Sequence, residues 1–192
     1  MNYTEILANR LKANRQILFD KNDYCMVLLE RAIRYHPIKV IILWELDMAE
    51  ETVRLLEDRY PSDTRARTAL ELSRQWAKGE VTMPIAKKAI IACHAAAKDI
   101  ESLEDIAHYH AVGQACSTIH TVEHAMGYPL YNFTAIVRKN GIENCNEILT
   151  DRINHYMDRL NYFSNPDIIN SIPWAPFIHR RRDILCPPNL KM

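Results

Sequence analysis

The sequence predicts an all-α protein, a single multi-helix bundle closed by an irregular, proline-rich C-terminal tail. Three observations predict it. Apolar residues recur at helical spacing along nearly the whole chain, and strand-like alternation is absent. Three of the four glycines fall where those periodic stretches end, after Lys78, Met126 and Asn140, each suited to a left-handed cap. A chain of 192 residues with 48% hydrophobic and 25% charged residues is long enough for one substantial core.

The periodicity places helices over residues 3–19, 23–35, 38–59, 63–78, 83–99, 102–126, 128–139 and 143–163. Pro37 pre-sets the start of the third, in which Ile38, Ile42, Leu46, Ala49, Val53 and Leu56 form one apolar stripe. Glu45, Glu50, Arg54, Glu57 and Asp58 fall largely off that stripe and read as a wet face. Asp63 and Thr82 suit the N-caps of the next two helices, because their side-chain oxygens can accept orphan backbone N–H groups; Pro84 agrees with the second start. The stretches 86–97 and 107–125 are rich in Ala, Gly, Ser and Cys, so these two helices are expected to approach closely and to pair at the centre of the bundle. Residues 1–165 make the bundle. Residues 166–192 carry Pro166, Pro173, Pro176, Pro187 and Pro188 and cannot continue as a long helix; Trp174 and Phe177 are placed to pin this tail to the bundle.

The composition excludes several functions. Lys plus Arg and Asp plus Glu are both 24, so the net charge is zero and no global field draws the chain to nucleic acid or to an anionic membrane. The basic run Arg180, Arg181, Arg182 reads as a solvated tail. Five widely spaced cysteines argue for a reducing compartment rather than a disulfide framework. The N-terminal stretch is polar and amphipathic, unlike a secretory signal, and no apolar run approaches the roughly 20 residues that span a bilayer. Together these place the protein in the cytoplasm. Four glycines cannot supply a phosphate-binding loop or a dinucleotide fingerprint.

One constellation has the residue types for chemistry. Five of eight histidines, His94, His108, His110, His120 and His124, lie in the two small-residue helices. On a continuous helix His120 and His124 share a face, and His94 on the partner helix would complete a three-imidazole site for zinc or another divalent transition metal. Asp47 and Glu123 are the carboxylates that would orient the rings. The competing reading is that these are buried histidines hydrogen-bonded to neighbouring groups. His120 to His124 also spells H-x-x-E-H, a pattern of inverted zinc peptidases, here without a suitable downstream acidic ligand. Cys93 beside His94 reads as a small apolar filler, and no nucleophile motif is present.

From Trp44 onward the chain carries WELDMAEETVRLLE, RYPSDTRARTALELSRQWAKGE, AKKAIIACHAAAKD and AVGQACSTIHTVEHAMGYPLYNFTAIV. Over roughly residues 44–138 it resembles the immunity proteins of bacterial polymorphic-toxin systems, the immunity-protein-five-like domain. The matching motif positions are Trp44, Asp47, Ala49 and Glu50; Arg74, Trp76 and Gly79; His94; and Thr118, His120, His124, Ala125 and Gly127. The resemblance implies an all-helical, non-enzymatic protein that binds and neutralises a cognate toxin. For such an interface the aromatic anchors would be Tyr128, Tyr131, Tyr156, Tyr162 and Trp174. The alternative is a small metal-dependent enzyme, since DinB-like helical bundles also combine a lone histidine with an H-x-x-x-H pair. The oligomeric state stays open.

Overall fold

A computed structural model describes residues 4–179. Its helices are α1 (Thr4–Lys12), α2 (Tyr24–Arg34), α3 (Ile38–Arg59), α4 (Arg65–Lys78), α5 (Met83–Ala96), α6 (Leu103–Thr118), α7 (Gly127–Asn140), α8 (Cys145–Phe163), α9 (Pro166–Ser171) and α10 (Pro176–His179). Single 3-10 turns occupy Ala97–Asp99 and Val122–Met126. No strand occurs among the described residues, and no described helix is long and apolar enough to cross a membrane. Cys25, Cys93, Cys116 and Cys145 are buried free thiols; Cys186 and the Arg180–Arg182 run lie outside the described residues.

The centre of the bundle is α6, which packs most extensively against α7 and α3 and then against α5. The expected central pair, α5 with α6, is in contact, but α5 keeps Lys87, Lys88 and Ile91 exposed and sits at the periphery. Its place in the middle is taken by α3, whose whole predicted stripe is buried together with Val40, Ile41, Trp44 and Met48. The expected wet face of α3 is therefore corrected at one position: Glu45 is completely buried. Glu50 and Glu57 do face outward, where Arg67 of α4 bridges them with contacts of 2.8 Å to each.

The first helix stops earlier than its periodicity predicts, because Asn14 adopts a left-handed conformation, φ 51°. The chain then runs extended and inserts Leu18 and Phe19 into the core, with the Leu18 N–H donating to Thr134 Oγ1 at 3.0 Å. Gly79 and Gly141 have the positive φ expected of helix caps, 82° and 73°. Gly127 does not: it starts α7 in right-handed geometry, φ −69°. Residues 166–179, expected to be irregular, form α9 and α10, and they bind α4 through the Ala175 N–H donated to Ala77 O and a Trp76–Phe177 ring contact at 4.7 Å.

Candidate functional site

The histidines gather where α5, α6, the 3-10 turn and the start of α7 meet. The expected single helix over 102–126 ends at Thr118. Ser117 and Thr118 donate their hydroxyls back to the carbonyls of Gly113 and Gln114, a contact that bends and weakens a helix end. Thr121 is then fully extended, φ −147°, before the 3-10 turn. His120 and His124 are thus not neighbours on one helical face; their ring centroids lie 6.0 Å apart across the break.

His94 finds a different partner. Its ring lies flat on α6 at Gly113, where an added Cβ would come within 2.4 Å of its Cε1 and Nε2. From there His94 Nδ1 meets His110 Nδ1 at 3.1 Å. The His110 ring in turn packs on Tyr131 at a centroid distance of 5.1 Å. His124 Nδ1 is held by Gln114 Oε1 at 2.7 Å, and Gly127 leaves room for that side chain, since a Cβ there would come within 2.5 Å of the oxygen in its present position. Burial, then the neighbouring His110 and His124, push the His94 value down to about 4, and burial lowers His110 as well. Both rings are neutral near pH 7, so one Nδ1 donates and the other accepts. His110 was named among the five histidines but not as the partner of His94, and Gln114 was missed in the sequence. The available signal was spacing, since His110 and Gly113 are three apart on α6 and share the face that α5 covers.

His94, His120 and His124 do not bring three ring nitrogens within 4.8 Å of one another; among the described residues only Glu104, Asp105 and His108 form such a metal-capable group. The carboxylates of that group already have partners. Arg59 donates to both Asp105 and Glu104, and the Tyr60 hydroxyl donates to Asp105 Oδ2 at 2.8 Å. The carboxylates expected to orient the imidazoles lie elsewhere: Asp47 accepts from Arg159 Nε at 2.7 Å, and Glu123 is exposed.

The five aromatic positions divide in two. Tyr128 and Tyr156 are fully buried. The Tyr128 hydroxyl donates to Met48 O and meets Thr52 Oγ1 and Arg152, while Tyr156 donates to Asn132 Oδ1 at 2.7 Å. Both belong to the core, so neither anchors a partner. Tyr131 is half-buried against His110. Tyr162 is 52% exposed, and Trp174 is partly exposed. The Arg159 guanidinium covers the Tyr162 and Phe163 rings at 4.4 and 4.8 Å, and Lys39 sits 5.7 Å from the Trp174 ring. Asp47, Phe163, Trp174, Arg74 and Lys78 line a cleft of about 270 Å³ beside them.

The motif positions from Trp44 to Gly79 act as fasteners. Trp44 Nε1 donates to Tyr156 O at 3.2 Å, Glu50 pairs with Arg74 at 2.9 Å, and Gly79 faces Ala175, whose Cβ would be 3.2 Å from an added Cβ. Residues 32–159 match the family described as Imm-5 like putative immunity protein. No curated protein and no solved structure matches the chain.

Proposed function

The chain belongs to the family of Imm-5 like putative immunity proteins, and from that premise we propose that it neutralises a cognate bacterial toxin by binding it, without catalysis of its own. The observation that carries this reading is the family match, which spans two thirds of the 192 residues. The docking face is the cleft between α3, α4 and α8. Stable recognition needs about 800 Å² per partner with aromatic or arginine anchors near its centre. Tyr162, Trp174 and Arg159 supply such anchors at a surface that also carries Lys39, Lys78 and Asp47, the last accepting from Arg159. The complementary surface on the toxin is acidic and carries apolar side chains.

The test starts from the genomic neighbourhood: a toxin-like gene beside the coding sequence is the expected finding, and it is co-expressed with the intact chain. The intact chain restores growth and co-purifies with the toxin. Trp174→Ala and Tyr162→Ala each weaken the complex by at least about tenfold while circular dichroism stays native. Failure of the wild type to protect refutes the immunity reading; protection indifferent to both substitutions refutes the docking face. The metal-dependent enzyme draws its support from the His94–His110 pair and shares the metal test below.

A further inference from the structure

His94 and His110 come from different helices, and each aims the same ring atom, Nδ1, at the other across 3.1 Å. Two imidazole nitrogens on one tetrahedral zinc ion lie about 3.3 Å apart, since bonds of about 2.05 Å meet at about 109°. An ion seated on the pair as it stands would have an N–metal–N angle of about 100°, and a separation larger by about 0.2 Å would make it tetrahedral. The pair is pre-set for a shared ion by packing: Gly113 lets the His94 ring lie on α6, and Tyr131 braces the far side of His110.

A third imidazole stands beside them. His124 reaches the same stretch of α6, holding Gln114, the residue after the Gly113 on which the His94 ring lies. Gln114 Oε1 accepts from His124 Nδ1, which fixes the tautomer and leaves the Nε2 lone pair free. Metal-bound histidines are typically held this way, with the non-ligating nitrogen donating to an oxygen that orients the ring. As placed, the three rings do not offer nitrogens within 4.8 Å of one another. Closing the site requires the His124 ring to turn toward the pair with Gln114 following it, and His124 sits on the short 3-10 segment Val122–Met126 rather than in a regular helix.

We propose that His94, His110 and His124 bind one borderline divalent transition-metal ion, zinc being the best fit, and that Gln114 is the positioning residue for His124. An all-imidazole set with neither thiolate nor carboxylate suits zinc, copper, nickel or cobalt and disfavours calcium and magnesium. Binding needs no net proton release from the neutral His94 and His110 rings. The imidazole that donates in the His94–His110 pair would shift its proton from Nδ1 to Nε2, and both rings would turn by about 40° so that the Nδ1 lone pairs, now pointing at each other, converge on the ion. The bound ion ties α5 and α6 to the turn that precedes α7, with a solvent molecule completing four-coordination.

Untagged full-length protein, stripped with chelator and dialysed, is titrated with Zn²⁺ by calorimetry and with Co²⁺ by visible absorption. One equivalent binds, and the cobalt form shows the intense visible bands of a tetrahedral centre. His94→Asn, His110→Asn and His124→Asn each weaken zinc binding by about 100-fold, Gln114→Ala weakens it by about tenfold, and His120→Asn changes it by less than about threefold. Circular dichroism establishes that each variant is folded. Should a histidine variant fail to fold, the cobalt spectrum of the wild type still decides the matter. The proposal is overturned by a wild type with no stoichiometric binding or only octahedral cobalt bands, or by loss of binding in His120→Asn with retention in His110→Asn.

Discussion

Replacing Glu45 with Gln should stabilise the protein, and by an amount that grows with pH. Glu45 lies in the middle of α3 with 0% exposure, and neither carboxyl oxygen has a hydrogen-bond partner. Burial pushes its pKa well above the ordinary glutamate range. Its charge is felt by the buried Cys116 thiol and the Tyr156 phenol, neither of which can neutralise it. In the unfolded chain the group ionises at about pH 4.3, whereas the folded chain keeps it protonated to much higher pH. The folded state therefore binds the extra proton, and stability is fully present below about pH 4.3. Above it, stability falls by about 1.4 kcal/mol per pH unit until the raised folded value is passed. Gln has nearly the same shape but no titration, so the variant keeps the unsatisfied polar atoms and sheds the pH-dependent part. Urea denaturation of both proteins at several pH values, with equal m-values, measures the difference directly. A Gln-minus-wild-type stability that stays flat from about pH 5 to pH 7 would falsify the argument, because it would mean that Glu45 titrates alike in both states.

Two further substitutions test the packing. Gly113→Ala gains up to about 1 kcal/mol in helix propensity, but its Cβ meets the His94 ring at 2.4 Å, and overpacking costs about 1–3 kcal/mol; the net is destabilisation by about 1 kcal/mol, reversing to stabilisation in a His94→Ala background. Chemical denaturation of all four members of the cycle checks this, and equal effects in both backgrounds would show that the two residues do not touch. Tyr128→Ala removes a fully buried ring and its three polar contacts and should cost about 3–5 kcal/mol, whereas Tyr162→Ala, on the surface, should shift stability by less than about 0.5 kcal/mol. Melting temperatures that fall equally for both would contradict the assignment of one to the core and the other to the surface.

Where the sequence pattern was regular, it was legible. The stripe of α3 is buried at every predicted position, and Gly79 and Gly141 have the φ that their places after helices require. The failures share a cause, which is that a neighbour along or across the chain overrode the period. Glu45 lies at the edge of the stripe, and it is buried because α3 is covered on both flanks, a fact of assembly that no local pattern records. The break at Thr118 comes from two hydroxyls competing for helix carbonyls. Gly127 follows an apparent helix end but serves instead to admit Gln114. At the candidate site His94 and His124 were identified, but the pairing with His110 depends on how α5 lies across α6. Tyr128 and Tyr156 read as surface anchors only because an aromatic side chain with one polar atom suits a wet interface and a satisfied core equally.

The motif residues sort by what they touch, and the sorting separates scaffold from site. Trp44, Glu50, Arg74 and Gly79 fasten α3 and α4 to α8 and to the C-terminal segment through contacts that need no ligand to account for them. These positions explain why the chain folds as it does, but not what it binds. His94 and His124 are different. Burial holds the His94 imidazole neutral at a desolvation cost, its Nδ1 is satisfied only by another histidine, and two glycines leave room for it and for the Gln114 side chain beside it. A leucine or methionine at position 94 would fill an α5–α6 contact without that cost. The proposed ion would account for this arrangement, and the zinc titration of the histidine variants decides between it and a purely structural pair. In the proposed reading, partner choice falls to exposed positions outside the motifs, Tyr162 and Trp174 with their cations, and substitution tests the two properties separately.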